Sequence, residues 1–285
     1  MNKSKIEWCD RTWNPITGCL HKCRYEYCYA AKQAKRFALS PELGEQHKGC
    51  YKCFGANSGT VGGVKGEAKI YALDKPIREP VFAKNEQISR LKIVSYPFGF
   101  EPTFRKYKLF RPQKIKQPQK VFVGSMSDMF GEWVPDKWIV EIFEACAKAP
   151  WHKYLFLTKN PSRYIKLAEQ GKLLCTKNVW YGTSIEGNFH LETYRLFELQ
   201  KLIYNTFVSI EPLKNTYIEF SRIPKWVIVG AESSNRKDKT VPKKEWLDFI
   251  IEMCDFYKTP LFMKNSLKSI WSGCLTQEYP EELEC

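Results

Sequence analysis

The sequence predicts an α/β fold, specifically a full or partial TIM-type (β/α) barrel with a cysteine-containing insertion near its N-terminus. After residue 120, short apolar runs rich in β-branched and aromatic residues alternate with segments of helical periodicity. No glycine-rich phosphate loop follows a first strand, as a doubly wound sheet would normally show. Residues 34–95 do not fit the alternation and are predicted to form an insertion or lid-like subdomain within a single domain of residues 1–285.

The individual elements follow from local signals. Pro135 suits the first turn of a helix and Pro150 its end, and Gly171 closes the next helix. In chain order the prediction is strand 120–124, helix 135–149, strand 154–157, helix 161–171, strand 179–182, helix 190–203, strands 207–210 and 226–229, helix 243–257 and strand 261–263. Such alternation implies a parallel sheet with right-handed crossovers. A doubly wound sheet is the alternative to the barrel.

Composition and charge limit the class of protein. The 45 Lys and Arg residues against 31 Asp and Glu give a net charge of +14, which favours anionic partners, with nucleic acid first among them, or reflects a generally basic surface. Cations and aromatic residues interleave in segment 104–111, as on surfaces that bind single strands or on an amphipathic edge strand. No apolar run approaches the roughly 18 residues of a membrane span, and the N-terminus lacks the apolar core of a signal peptide. We expect a cytoplasmic protein without a membrane partner.

Polar residues follow the predicted strands where each strand ends. In a barrel these ends converge on one cavity. Carboxylates there can face the ammonium group of a zwitterionic small molecule, and lysines can face its carboxylate, although any single polar strand end can be an ordinary turn. The candidate catalytic residues are Lys159, Glu211, Glu232 and Lys264, and the candidate cofactor-binding residues are Ser125, Ser127, Asp128, Thr183 and Glu186.

Cysteines concentrate near the N-terminus, where six of the eleven lie within the first 53 residues. In a reducing compartment, clustered cysteines indicate metal binding or catalysis rather than disulfides. Cys19, Cys23 and Cys28 are spaced C-x3-C-x4-C. Thiolates suit iron–sulfur clusters or zinc, but structural zinc usually takes four protein ligands. Three close cysteines therefore predict a cluster with one iron left open to a small molecule.

A second group, His47, Cys50 and Cys53, has the spacing H-x2-C-x2-C. It is either most of a zinc site, for which Cys9 is an available fourth ligand, or a set of ligands for a second cluster, or a pair of unligated thiols. His21 lies inside the first cysteine loop, where a loop residue is a better interpretation than a metal ligand.

The first cysteine loop resembles the Cys-x3-Cys-x-aromatic-Cys signature of the radical S-adenosylmethionine enzymes, with Tyr27 in the aromatic place and two extra residues after Cys23. Further motifs are similar to those of a phage-associated family named for phage gene products thirty-seven and sixty-eight, whose substrate is unknown. These motifs are WNPITGC at 13–19, CYA at 28–30, YPFGFEPT at 96–103, SMSD at 125–128, LTK at 157–159, SIEP at 209–212 and VGAES at 229–233.

The resemblance implies that Cys19, Cys23 and Cys28 each bind one iron of a 4Fe–4S cluster and that S-adenosylmethionine chelates the fourth iron. An electron donor would then drive cleavage to a 5′-deoxyadenosyl radical. The resemblance implies no substrate; the net positive charge makes a nucleotide or nucleic acid the candidate. Asp128 is expected near the methionine ammonium group. The alternative function is a zinc-stabilised, basic nucleic-acid-binding protein without catalysis.

Overall fold

The computed structural model describes residues 1–21, 23, 28–38, 52–56, 68–82, 88–185, 189–202, 204–214, 224–232, 237 and 239–284. The chain divides into two compact units. We call the first the sheet unit; it comprises Met1–Trp13, Ile115–Val123 and Cys146–Cys285. The second, the cysteine unit, comprises Asn14–Lys114 and Gly124–Ala145. Each unit is assembled from segments that are distant in the sequence.

The described residues form strands and helices throughout both units. The strands are β1 (Asn2–Lys3), β2 (Arg11–Trp13), β3 (Ile16–Thr17), β4 (Lys52–Ala56), β5 (Ala68–Leu73), β6 (Arg78–Phe82), β7 (Ile88–Ile93), β8 (Thr103–Arg105), β9 (Lys120–Val123), β10 (Lys153–Thr158), β11 (Val179–Ser184), β12 (Asn205–Ile210), β13 (Val227–Val229) and β14 (Leu261–Met263). The helices are α1 (Tyr29–Arg36), α2 (Asp136–Ala147), α3 (Ser162–Glu169), α4 (Phe189–Lys201) and α5 (Lys244–Tyr257). Short 3-10 helices occupy Lys106–Lys108, Pro112–Lys114, Asn265–Leu267 and Glu281–Leu283. Within this described part, no helix has both the length and the apolar character needed to span a membrane.

The sheet unit is built on a large sheet whose strands lie in the order β1-β2-β9-β10-β11-β12-β13-β14. All neighbours from β2 to β14 pair in parallel, and only β1 pairs antiparallel, with β2. The predicted alternation of strands and helices after residue 120 is confirmed, and the fold is mixed α/β with a mostly parallel sheet. The strands follow chain order without the reversal that defines a doubly wound sheet. No pairing among the described residues closes the sheet into a ring.

An aromatic core covers one face of this sheet. Trp8 lies with its ring centroid 4.7 Å from that of Phe122 on β9 and 6.2 Å from that of Phe207 on β12. Burial of each such side chain contributes roughly 1.5–3 kcal/mol. Position 182 on β11 requires glycine, because a Cβ atom there would lie 2.4 Å from the Phe207 ring.

The opposite face of the sheet packs against helices. Tyr181 on β11 meets Tyr164 of α3 edge-to-face, with ring centroids 5.0 Å apart, and the Tyr164 hydroxyl donates a hydrogen bond to the carbonyl of Gly182 at 3.0 Å. Successive residues of a strand point to opposite faces, so odd and even positions of β11 serve different layers.

The cysteine unit contains a four-stranded sheet in the order β3-β8-β5-β4 and a hairpin of β6 and β7. Segment 104–111, predicted as an edge strand or a nucleic-acid surface, is not an edge strand, because β8 pairs on both sides and 3-10 turns follow it. Phe104 is buried and stacks on Trp138 at 5.1 Å, while buried Arg105 donates hydrogen bonds to the Thr17 hydroxyl and the Ser95 carbonyl.

Candidate functional site

The first cysteine loop begins at a glycine that the surrounding backbone requires. Gly18 has φ +85°, and a Cβ atom there would lie 2.2 Å from the Glu101 carbonyl oxygen. The Gly18 N–H donates to the Met126 carbonyl at 3.0 Å, and the Cys19 N–H donates to the Phe100 carbonyl at 3.1 Å. Three motifs that lie far apart in the sequence therefore meet where the cysteine loop starts.

Side chains strengthen this junction. Asn14 Nδ2 donates to the Ser125 hydroxyl at 3.1 Å, and Asn14 Oδ1 accepts from the Met126 N–H at 3.1 Å. The Ser127 hydroxyl donates to the Ile16 carbonyl at 3.1 Å. The structure thus places Ser125 and Ser127, predicted to bind the cofactor, in contacts that hold the segment after β9 against the start of the cysteine loop.

Asp128 and His21 form the most polar contact of the site. His21 Nε2 donates to Asp128 Oδ2 at 2.7 Å, and Asp128 Oδ1 accepts from the Phe130 N–H at 3.0 Å. Trp133 meets the imidazole edge-to-face with ring centroids 4.8 Å apart. Asp128 is buried. His21, interpreted from sequence as an ordinary loop residue, is therefore bound to the carboxylate that was predicted to contact the cofactor.

The three cysteines of the loop are partly exposed and form no disulfide. The His21 N–H points at Cys19 Sγ from 3.4 Å. Burial, followed by the negative charge of Asp128, raises the pKa of Cys19 to about 12, and Cys23 acts in the same direction. Cys28 caps α1, where its sulfur accepts from the Ala31 N–H at 3.5 Å. The N-terminus of a helix favours a negatively charged group such as a thiolate.

These donors fit an iron–sulfur cluster in their chemistry. All three are soft thiol ligands within ten residues, and two of them already receive backbone N–H groups of the kind that stabilise ligating sulfur. Among the described residues, no three His, Cys, Asp or Glu side chains stand in an arrangement ready to hold a metal ion. Residues 22 and 24–27, including Tyr27, lie outside the described part.

The second cysteine group is outside what the structure describes. His47 and Cys50 lie in residues that are not described, and Cys53 is placed only as a backbone position on β4. The predictions of a zinc site or a second cluster there stay predictions.

In the sheet unit, two of the predicted catalytic residues meet. Lys264 Nζ lies 3.0 Å from Glu211 Oε2, and the two side chains are 20% and 24% exposed. A Cβ atom on Gly230 would lie 3.0 Å from Lys264 Cδ and 3.5 Å from Glu211 Cγ, so the glycine makes room for the pair. Apart from its place directly after β13, no feature of the sequence indicates this role of Gly230.

The other strand-end residues are distributed differently. Lys159 follows β10, and Glu232 comes after β13. Thr183 is fully buried and donates to the Thr158 carbonyl at 3.1 Å, on the face where Tyr181 meets α3. Glu186 lies outside the described residues. Ser125, Ser127 and Asp128 belong to the cysteine unit, whereas Lys159, Glu211, Glu232 and Lys264 belong to the sheet unit.

The comparisons with known proteins add a family but no activity. The model of a family described as a protein of unknown function, DUF5131, matches residues 3–271. No curated protein and no solved structure matches the chain.

Proposed function

The chain belongs to the DUF5131 family of proteins of unknown function, and we propose that it is a radical S-adenosylmethionine-like enzyme. In this proposal Cys19, Cys23 and Cys28 hold a 4Fe–4S cluster. The chain is then a member of the phage-associated family whose motifs its own motifs resemble. The observation that carries the proposal is the trio of partly exposed cysteines, none in a disulfide, in one ten-residue stretch of one compact unit. Zinc sites with four protein ligands do not require such a three-donor loop.

We extend the proposal to the fold, as a full or partial (β/α) barrel. Neighbouring strands lie about 4.8 Å apart, so β9 and β12, three steps apart, would be separated by roughly 14 Å in a flat sheet. Trp8 nevertheless packs against Phe122 of β9 and Phe207 of β12, with ring-centroid distances of 4.7 and 6.2 Å. Even added together, these two ring distances are shorter than the separation of β9 and β12 in a flat sheet, which supports a sheet that curls around Trp8.

When bound, the cluster and S-adenosylmethionine would supply a 5′-deoxyadenosyl radical and methionine, after one electron from a donor breaks the carbon–sulfur bond. The contribution of the protein is to hold the ligands and exclude water. Gly18 fixes the start of the loop, and the His21 N–H contacts the Cys19 sulfur. Both oxygens of Asp128 are engaged by His21 and Phe130, which supports a role for Asp128 in positioning the cysteine loop.

The strand-end residues of the sheet unit would bind the polar parts of a zwitterionic ligand. The Lys264 ammonium group suits a carboxylate, and the Glu211 carboxylate suits an ammonium group. Their 3.0 Å contact keeps both charged groups oriented before a ligand arrives. Lys159 and Glu232 are the further candidates of this set, with the same complementary charges.

Anaerobic purification and reconstitution with iron and sulfide test the proposal. We expect about four irons per chain and a broad visible absorption band, as for a 4Fe–4S protein. Cys19→Ser, Cys23→Ser and Cys28→Ser should each lose iron, whereas Cys175→Ser and Cys274→Ser, which alter exposed cysteines of the sheet unit, should retain it.

Activity is tested separately, by incubating the reduced protein with S-adenosylmethionine and measuring 5′-deoxyadenosine by chromatography. A colourless protein with stoichiometric zinc would favour the binding-protein alternative. Full iron content in any of the three loop variants would contradict the ligand assignment.

A further inference from the structure

The helix that follows the third cysteine has a basic and aromatic outer face. All charged residues of α1 are basic, and Lys32, Lys35 and Arg36 are exposed. Tyr29 at its start is 65% exposed, and Phe37 at its C-cap is 44% exposed. The inner face consists of small residues, since Ala30 and Ala34 pack against Tyr96, Met126 and Phe100. Packing therefore fixes which face of α1 is presented outward.

This outer face differs from an ordinary solvated helix surface. A solvated surface usually mixes charges of both signs. Lys32 and Arg36 are like charges at i and i+4, a spacing that destabilises a helix by a few tenths of a kcal/mol. The Arg36 guanidinium lies 5.4 Å from the centroid of the Phe37 ring. Clustered cations beside exposed aromatic rings are typical of surfaces that bind single-stranded nucleic acid.

The same unit carries a second group of this kind. Phe110 is 42% exposed, and its ring centroid lies 4.6 Å from Lys114 Nζ and 5.9 Å from the Arg111 guanidinium. Both groups belong to the cysteine unit. α1 packs on Tyr96, and the guanidinium of buried Arg105, a few residues before the second group in the chain, lies 5.5 Å from the Tyr96 ring centroid. Within segment 104–111, Phe104 and Arg105 are buried, whereas Phe110 and Arg111 are exposed.

We propose that α1 and segment 110–114 of the same unit form a binding surface for single-stranded nucleic acid. Lys32, Lys35 and Arg36 contact phosphates, and the Tyr29 ring stacks on a base. A single strand is the expected ligand because its unpaired bases leave a face open for stacking, whereas a duplex does not. Cys28 caps α1 and directly precedes Tyr29, so a base stacked on Tyr29 lies next to the third cysteine of the loop.

The inference deepens the proposed function and rests on it only for the chemistry that would follow binding. Binding of the strand itself requires no cluster. It is tested by fluorescence anisotropy with a labelled 15-nucleotide single strand, as DNA and as RNA, on metal-free and reconstituted full-length protein. The variant Lys32→Glu/Lys35→Glu/Arg36→Glu should weaken binding at least tenfold. The slope of log K against log salt concentration should also become shallower by about 2, because each of the three lost phosphate contacts contributes about 0.7 to that slope.

A matched control reverses three exposed lysines of the sheet unit, as Lys166→Glu/Lys172→Glu/Lys177→Glu, with the same change in net charge. This control should lose at most a few fold. Tyr29→Ala should weaken binding about tenfold with an unchanged salt slope, because stacking carries no charge.

Equal losses in the two triple variants would overturn the proposal, as would equal affinity for a duplex of the same sequence or no binding by the wild-type chain. Binding by metal-free protein that never takes up iron would uphold this surface and refute the cluster. A loaded cluster without strand binding would do the reverse.

Discussion

Replacing Gly18 by alanine tests whether the start of the cysteine loop is fixed as the structure indicates. Gly18 has φ +85°, and the new methyl group would lie 2.2 Å from the Glu101 carbonyl oxygen and 2.5 Å from that of Phe100. A left-handed backbone costs a residue with a side chain about 1–2 kcal/mol. Forcing a carbon atom into fixed neighbours costs roughly 1–3 kcal/mol more. Gly18→Ala should therefore lower the free energy of unfolding by roughly 2–5 kcal/mol.

The matched control is Gly99→Ala, in the same unit. Gly99 has φ +57°, but nothing lies within 4 Å of its added Cβ atom. This variant has only the cost of the left-handed backbone, so it should lose about 1–2 kcal/mol of stability. Urea denaturation followed by circular dichroism compares the two variants with the wild type. Equal losses would refute the inference that the Phe100–Glu101 carbonyls press on Gly18, and with it the proposed anchoring of Cys19.

Three further predictions concern charged groups. Asp128→Asn removes the charge that holds His21 at 2.7 Å, so the reconstituted protein should release iron to a chelator about tenfold faster, and an unchanged release rate would contradict the positioning role. Burial, with nearby Arg105 and Arg111, lowers the pKa of Lys108 from 10.5 to about 7. Between these two pH values the lysine is protonated in the unfolded chain and neutral in the folded chain. Stability should rise between about pH 7 and pH 10.5 and fall on acidification through that window, and Lys108→Met should flatten this slope in denaturation curves. The partly buried pair of Lys264 and Glu211 should show a coupling of about 1 kcal/mol in a double-mutant cycle with Lys264→Met and Glu211→Gln, and additive losses would show that the pair contributes nothing.

The fold after residue 120 was predictable because its signals are local. Strands such as β9 and β12 are short apolar runs, and α2 lies between two prolines, so neighbouring residues alone determine the type of element. The first half was harder. Segment 104–111 has the alternation of an amphipathic edge strand, yet β8, which includes its first residues, pairs on both sides. Alternation along a segment does not indicate how many strands pair with it.

The contacts of the candidate site had no local signal. His21 and Asp128 are 107 positions apart, and Asn14 and Ser125 are 111 apart. Spacing within the cysteine loop predicted the donors themselves, since three thiols in ten residues are rare without a ligand. It could not predict which distant segment holds them. A glycine directly before the first cysteine was the one available hint, because glycine is favoured where the backbone needs positive φ.

The anchoring of the loop at both ends bears on what it can bind. At one end, the backbone of Gly18 and Cys19 is bonded to Met126 and Phe100. At the other end, Cys28 caps a helix that packs against the core of the same unit. Each such hydrogen bond contributes roughly 0.5–1.5 kcal/mol, so both ends are held before any ligand is present. Binding a ligand to a short segment with fixed ends costs less conformational entropy than binding it to an untethered segment, which favours the proposed cluster. Loosening the Gly18 end should consequently weaken cluster retention even though no ligand atom is changed.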